Sequence, residues 1–145
     1  MIWLLRHAEA EDGSPDAERR LTARGEDAAR AAGAALAALG VELDACLASP
    51  RVRALDTARL ACEALGVEPQ VEPALGGGPF DPTEVALGHG ESVLLVGHEP
   101  DISAAIHLGT GAQVRMPKGG IAAIDRGELN RLLRPRELRE LATPR

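Results

Sequence analysis

The stretch that most constrains this chain is Ser92–Val96, "SVLLV", followed at once by Gly97-His98. A short apolar run of branched residues closed by a glycine fits a strand buried on both faces. Such a strand needs helices above and below it, and the flanking sequence supplies them. A second apolar run, Ile2–Leu5, ends on Arg6-His7, and residues 43–49, "LDACLAS", give a third strand. Between them the pattern turns helical. Residues 21–40 are alanine-rich, with Thr22 as N-cap and Gly40 as stop. Residues 49–66 open on Ser49 as N-cap with Pro50 at the first helical position, and close on Gly66. Residues 67–82 read as a strand fragment and a loop with three consecutive glycines. Shorter helices are expected at 81–90 and 99–109, the second entered through Pro100 and ended at Gly109. Residues 119–135 read as an antiparallel hairpin turning at "DRGE", and 136–145 as a charged, exposed tail.

Strands alternating with helices imply right-handed crossovers and an α/β fold. The expected architecture is a three-layer α/β/α sandwich with a mostly parallel central sheet, in a single domain spanning residues 1–145. At 145 residues the chain is long enough for one substantial core. The formal net charge of −6 repels nucleic acid and anionic membranes, so an anionic ligand must be held by a local basic cluster. Nearly every cation is arginine, whose planar fork matches phosphate oxygens. Trp3 and Phe80 are the only aromatic residues, too few for base-stacking platforms. Cys46 and Cys62 sit in apolar contexts and read as small buried hydrophobes. No Cys/His spacing suits zinc. Without a signal sequence or a long apolar span, the chain is expected in the cytoplasm, with no membrane partner.

Ligands in open α/β sheets bind outside the carboxyl ends of the strands. Three expected strand ends carry unusual residues: Arg6-His7, Ser49-Pro50 with Arg53, and Gly97-His98. Together they offer two histidines and two arginines on one rim, a set suited to phosphoryl transfer. Arginine forks bind phosphoryl oxygens in charge-assisted pairs. A helix opening at Ser49-Pro50, with Arg53 in its first turn, adds a positive dipole end. A neutral imidazole can attack phosphorus and form a covalent intermediate. Arginines and a second histidine can balance the transferring charge without a metal or other cofactor. His89 and His107 lie in a loop and near a helix end and read as structural or exposed.

The segments "LLRHAEAE", "SPRVRALDTA" and "VLLVGHEP", in that order, resemble the three signatures of the histidine phosphatase (phosphoglycerate mutase-like) superfamily. Arg6-His7-Ala8 departs from the usual Arg-His-Gly. The short length, "RRLTARG" and "PALGGGPFDP" are similar to the SixA-like phosphohistidine phosphatases, which lack cap insertions. The resemblance implies that His7 is the phosphorylated nucleophile, that Arg6 and Arg53 bind the phosphoryl oxygens, and that His98 completes the pocket. It selects Arg53 over Arg51 and places Arg19 near the entrance.

Larger members use a mid-chain glutamate to protonate the leaving oxygen. The candidates here are Glu9, Glu11, Glu72, Asp81 and Glu84, each of which also reads as a solvated carboxylate. A site without such an acid sacrifices little on phosphohistidine, whose leaving imidazole has an ordinary pKa near 6.5, and about 10²–10⁴-fold on a phosphate ester. The expected activity is metal-independent dephosphorylation of phosphohistidine on a protein partner. Two alternatives stand beside it. One is a broad small-molecule phosphomonoesterase using the same site with one of those acids. The other is a non-catalytic phosphate-sensing adaptor.

Overall fold

In the computed structural model, which describes residues 1–144, six strands form one sheet. They are β1 (Ile2–Arg6), β2 (Ala45–Ala48), β3 (Pro69–Val71), β4 (Val93–Gly97), β5 (Ile121–Asp125) and β6 (Glu128–Leu133), in the spatial order β3-β2-β4-β1-β5-β6. The pairs β2/β3, β2/β4 and β4/β1 are parallel, and β5 runs antiparallel to both β1 and β6. The sheet is therefore mostly parallel, as expected. The hairpin closes through Arg126 (φ 51°) and Gly127 (φ 77°), a two-residue turn with both central residues left-handed.

Side-chain alternation along the buried strands feeds two cores. Trp3, Leu5, Cys46, Leu94 and Val96 face α1 (Ala23–Ala38), α2 (Val52–Cys62) and α5 (Pro135–Ala142). Leu4, Leu47, Val93 and Leu95 face the other way, toward α3 (Pro82–Ala86) and α4 (Asp101–Thr110). Both faces are covered, which is why β1 and β4 read as unbroken apolar runs.

The helices follow the sequence with instructive exceptions. Thr22 caps α1, accepting from the Gly25 N–H at 3.0 Å. Ser49 does not cap α2: the helix starts at Val52 with Arg51 as N-cap, so Pro50 lies outside it. Gly109 does not end α4 either. The helix runs on to Thr110 and stops at Gly111 (φ 78°), where a left-handed residue is needed. Gly109 instead packs against Ile124, whose Cδ1 would be 3.5 Å from an added Cβ. The expected exposed tail is mostly helical, and α5 buries Leu138 in the core beside α1. Arg145 lies outside the described residues. Cys46 and Cys62 are free and buried, as read from their context. No helix among the described residues is long and apolar enough to cross a membrane.

Alanine and glycine in α1 let its backbone approach α2 closely. A Cβ added at Gly33 would stand 2.0 Å from the Ala61 carbonyl oxygen, a main-chain atom that cannot swing aside. Gly33→Ala must therefore push two helices apart, an overpacking effect of about 1–3 kcal/mol. Urea unfolding should show a lower midpoint; an unchanged midpoint would mean that the helices do not touch there.

Candidate functional site

The register of the three parallel strands aligns their carboxyl ends. Arg6 pairs with Gly97, Leu5 with Val96, and Ala48 with Val96. The ladder continues one residue further: the His7 N–H donates to the Gly97 carbonyl and the Ser49 N–H to the Val96 carbonyl, both at 3.0 Å. His7, Ser49 and His98 are thereby brought to one rim. A cavity of about 420 Å³ opens there, lined by Arg6, His7, Arg19, Arg51, Arg53 and His98, with Gly77, Glu99, Asp101 and Lys118. Arg6, His7, Arg53, His98 and Arg19, the residues expected from the sequence, all line it.

His7 and His98 are buried, with ring centroids 5.2 Å apart. His7 Nδ1 lies 2.8 Å from the Ala8 carbonyl oxygen. A carbonyl only accepts, so Nδ1 carries the proton and Nε2 keeps its lone pair. Burial is the main reason that the His7 pKa falls to about 4; the Ala8 carbonyl opposes it, and Arg53, Arg6 and Lys118 add to it. The arginines thus contribute to a neutral His7, but burial outweighs them. His98 falls to about 3, again chiefly by burial, with His7 and the arginines behind it.

Ser49 serves His98 rather than the helix. Its hydroxyl oxygen accepts from the Arg51 N–H at 3.1 Å and lies 2.8 Å from His98 Nε2. The Ser49 hydroxyl proton has no other acceptor among the described residues, so it goes to Nε2 and His98 carries its own proton on Nδ1. That nitrogen is buried and has no protein partner among the described residues, and the same holds for Arg6 Nε and Arg53 Nε. Buried donors are rarely left unpaired. These three belong to side chains around one cavity.

Asp16, on a short 3-10 turn (Asp16–Glu18), organises the arginines. Its carboxylate takes Arg51 at 2.8 Å, Arg19 at 3.1 Å and Arg53 at 3.2 Å, and its backbone carbonyl takes Arg53 again at 2.9 Å. Hydrogen bonding from Arg19, then from Arg53, holds the Asp16 carboxyl below its ordinary value. Arg6 is fixed separately, donating to the Met116 carbonyl at 2.9 Å.

The candidate acids do not reach the cavity. Glu9 accepts from the Thr22 hydroxyl, Glu72 and Asp81 cap short helical turns, and Glu11 and Glu84 lie outside the lining. The carboxylates that line it are Glu99 and Asp101. Glu99 accepts from the Ser103 N–H at 2.7 Å, the Ser103 hydroxyl and the Met116 N–H at 3.1 Å. Asp101 accepts from the Gly78 N–H at 3.1 Å. Asp16 and Glu99 had no separate signal: one sits among turn-formers, the other inside a motif read for its histidine. His89 and His107 lie away from the cavity.

Two histidines kept neutral in the fold tie stability to pH. Their folded pKa values lie below the ordinary 6.5, so between about pH 6.5 and 4 the unfolded chain binds more protons. Stability should be full above pH 6.5 and fall as the pH drops toward 4. The fall should be shallower in the His7→Gln/His98→Asn variant, as read from chemical denaturation at each pH. Equal slopes would place the titrating groups elsewhere.

Comparison with known proteins agrees with this geometry. Residues 2–78 match the family model of the histidine phosphatase superfamily (branch 1). An uncharacterised protein from Picosynechococcus sp. is 33% identical over 140 residues, covering 87% of this chain and 85% of its own. The structure of the protein histidine phosphatase SixA complexed with tungstate superposes with a TM-score of 0.82 at 26% identity, covering 94% of this chain and 98% of that one. The alpha-ribazole phosphatase from Shigella flexneri shares the fold, with a TM-score of 0.69 at 20% identity over 91% of this chain and 95% of its own. With the matched family segment holding β1, Arg6, His7 and Arg53, this chain belongs to the histidine phosphatase superfamily, in a SixA-like form.

Proposed function

We propose that this phosphatase removes phosphoryl groups from phosphohistidine on a protein, through a phosphorylated His7. The observation that carries this reading is the trio of unpaired buried donors, Arg6 Nε, Arg53 Nε and His98 Nδ1, around a histidine whose Nε2 lone pair is free. A tetrahedral oxyanion offers oxygens to all three. The likeness to a SixA that was solved with tungstate, another tetrahedral oxyanion, supports the same use of the cavity.

The steps balance simply. His7 Nε2 attacks phosphorus, an Nε2–P bond forms, and the substrate's N–P bond breaks. The leaving imidazole takes up a proton from solvent. The developing charge on the equatorial oxygens meets Arg6, Arg53 and His98, already fixed by Met116, Asp16 and Ser49. Water then cleaves the Nε2–P bond, releasing inorganic phosphate and restoring His7.

Substrate choice follows from proton supply. The two carboxylates of the cavity already accept hydrogen bonds from the backbone, Glu99 from the Met116 N–H and Asp101 from the Gly78 N–H, so neither stands free beside His7 as a proton donor. An imidazole leaving group needs no acid at that position, whereas an alkoxide does. The fold does not decide the matter, since the alpha-ribazole phosphatase shares it.

The deciding experiment compares kcat/KM for a phosphohistidine-bearing domain with that for a phosphate monoester, using His7→Ala as the blank. The phosphohistidine substrate should win by roughly 10²–10⁴-fold, and His7→Ala should be inactive on both. A ratio near one would favour the monoesterase, and full activity of His7→Ala would overturn the mechanism. Activity should also persist down to about pH 5, because His7 protonates only near 4; an acid limb near 6.5 would contradict a buried neutral nucleophile.

A further inference from the structure

The chain has a single lysine, Lys118, among its 16 basic residues, and it lines the cavity. Its place is built rather than incidental. The turn 116–120 is stitched to the strand that ends on the nucleophile. The Gly119 N–H donates to the carbonyls of Arg6 at 3.0 Å and His7 at 3.2 Å, and the Arg6 N–H donates to Gly120 at 3.1 Å. The Met116 carbonyl takes the Arg6 guanidinium at 2.9 Å. Gly119 sits at φ 79°, a conformation that suits glycine, and Gly120 is hemmed in by Met116 and Pro117. The backbone at Lys118 is therefore fixed relative to His7.

Each of the other cations of the cavity has a protein partner. Arg19, Arg51 and Arg53 hold Asp16, and Arg6 holds Met116. The carboxylates Glu99 and Asp101 are held by Ser103, Met116 and Gly78. Lys118 is exposed and has no hydrogen bond or ion pair among the described residues. It lies near enough to His7 to disfavour the protonated imidazole.

We infer that Lys118 is a specificity-determining residue that holds a second anionic group of the substrate, a carboxylate neighbouring the phosphoryl group that His7 takes. Resting on the phosphatase reading, this deepens it by naming what flanks the phosphoryl group. A compact ammonium suits such a role, as it can follow a carboxylate whose position varies between substrates, where a planar fork demands one geometry. The carboxylate has two sources: an acidic side chain beside the phosphohistidine of a protein, or the carboxylate of a small phosphate ester.

Binding of two phosphonates that cannot be hydrolysed tests the inference independently of turnover. Phosphonoacetate carries a carboxylate next to its phosphonate, and methylphosphonate does not. By titration calorimetry, the unmodified protein should bind phosphonoacetate about fivefold more tightly, the gain that an exposed ion pair supports. Lys118→Ala should erase that preference, whatever smaller loss the two phosphonates share; Lys118→Arg should keep part of it. A preference absent from the unmodified protein, or intact in Lys118→Ala, overturns the inference while leaving the phosphatase reading standing. The sources separate in turnover. If the carboxylate belongs to a protein, Lys118→Ala raises KM for a phosphohistidine domain with acidic neighbours and leaves kcat unchanged. If it belongs to a small ester, the rise appears with 2-phosphoglycolate instead. A fall in kcat with KM constant on both would overturn a binding role.

Discussion

Everything at the rim depends on the parallel pairing of β4 with β1 on one side and β2 on the other. The pairing is in register, so three strands end at one level and release His7, Ser49 and His98 together. A shift of one residue in β1 would reverse its side chains between the two cores and carry His7 from the rim. The apolar alternation of Trp3, Leu4 and Leu5 forbids it, because each face has its own helices to meet. Core packing thus sets the geometry of the site.

The rim is also where costly groups are held under control. His7 and His98 are buried and neutral, each with one ring nitrogen engaged, by a carbonyl and by a hydroxyl respectively. Burial alone lowers their basicity, and the neighbouring cations reinforce it. Asp16 balances three arginines with one carboxylate, so Arg53 keeps a fixed position while its Nε stays unpaired. The negative overall charge is thereby compatible with an anion site, since the positive field is local.

Much of this was legible in the sequence. The strands, the Thr22 cap and the hairpin turn rest on local signals, and local signals survive folding. Ser49-Pro50 misled because a helix-start pair was engaged elsewhere: the hydroxyl belongs to His98, and the helix waits until Val52. Gly109 and Gly111 are two residues apart, and only the packing against Ile124 tells which one ends the helix. Asp16 lies more than thirty residues from Arg51 and Arg53, a distance no spacing rule reads. Lys118 carried no signal of its own, because its turn is tied to β1 by long-range hydrogen bonds invisible in the chain order.

The central claim is covalent: phosphoryl passes through His7 Nε2. The most direct measurement is rapid quenching into alkali during turnover of a phosphohistidine-bearing domain, with the phosphorylated peptide located by mass spectrometry. One phosphoryl group on His7, attached at Nε2 and formed no more slowly than turnover, is the expected result. Phosphate release at full rate with no label on His7, or with label on another residue, would contradict it.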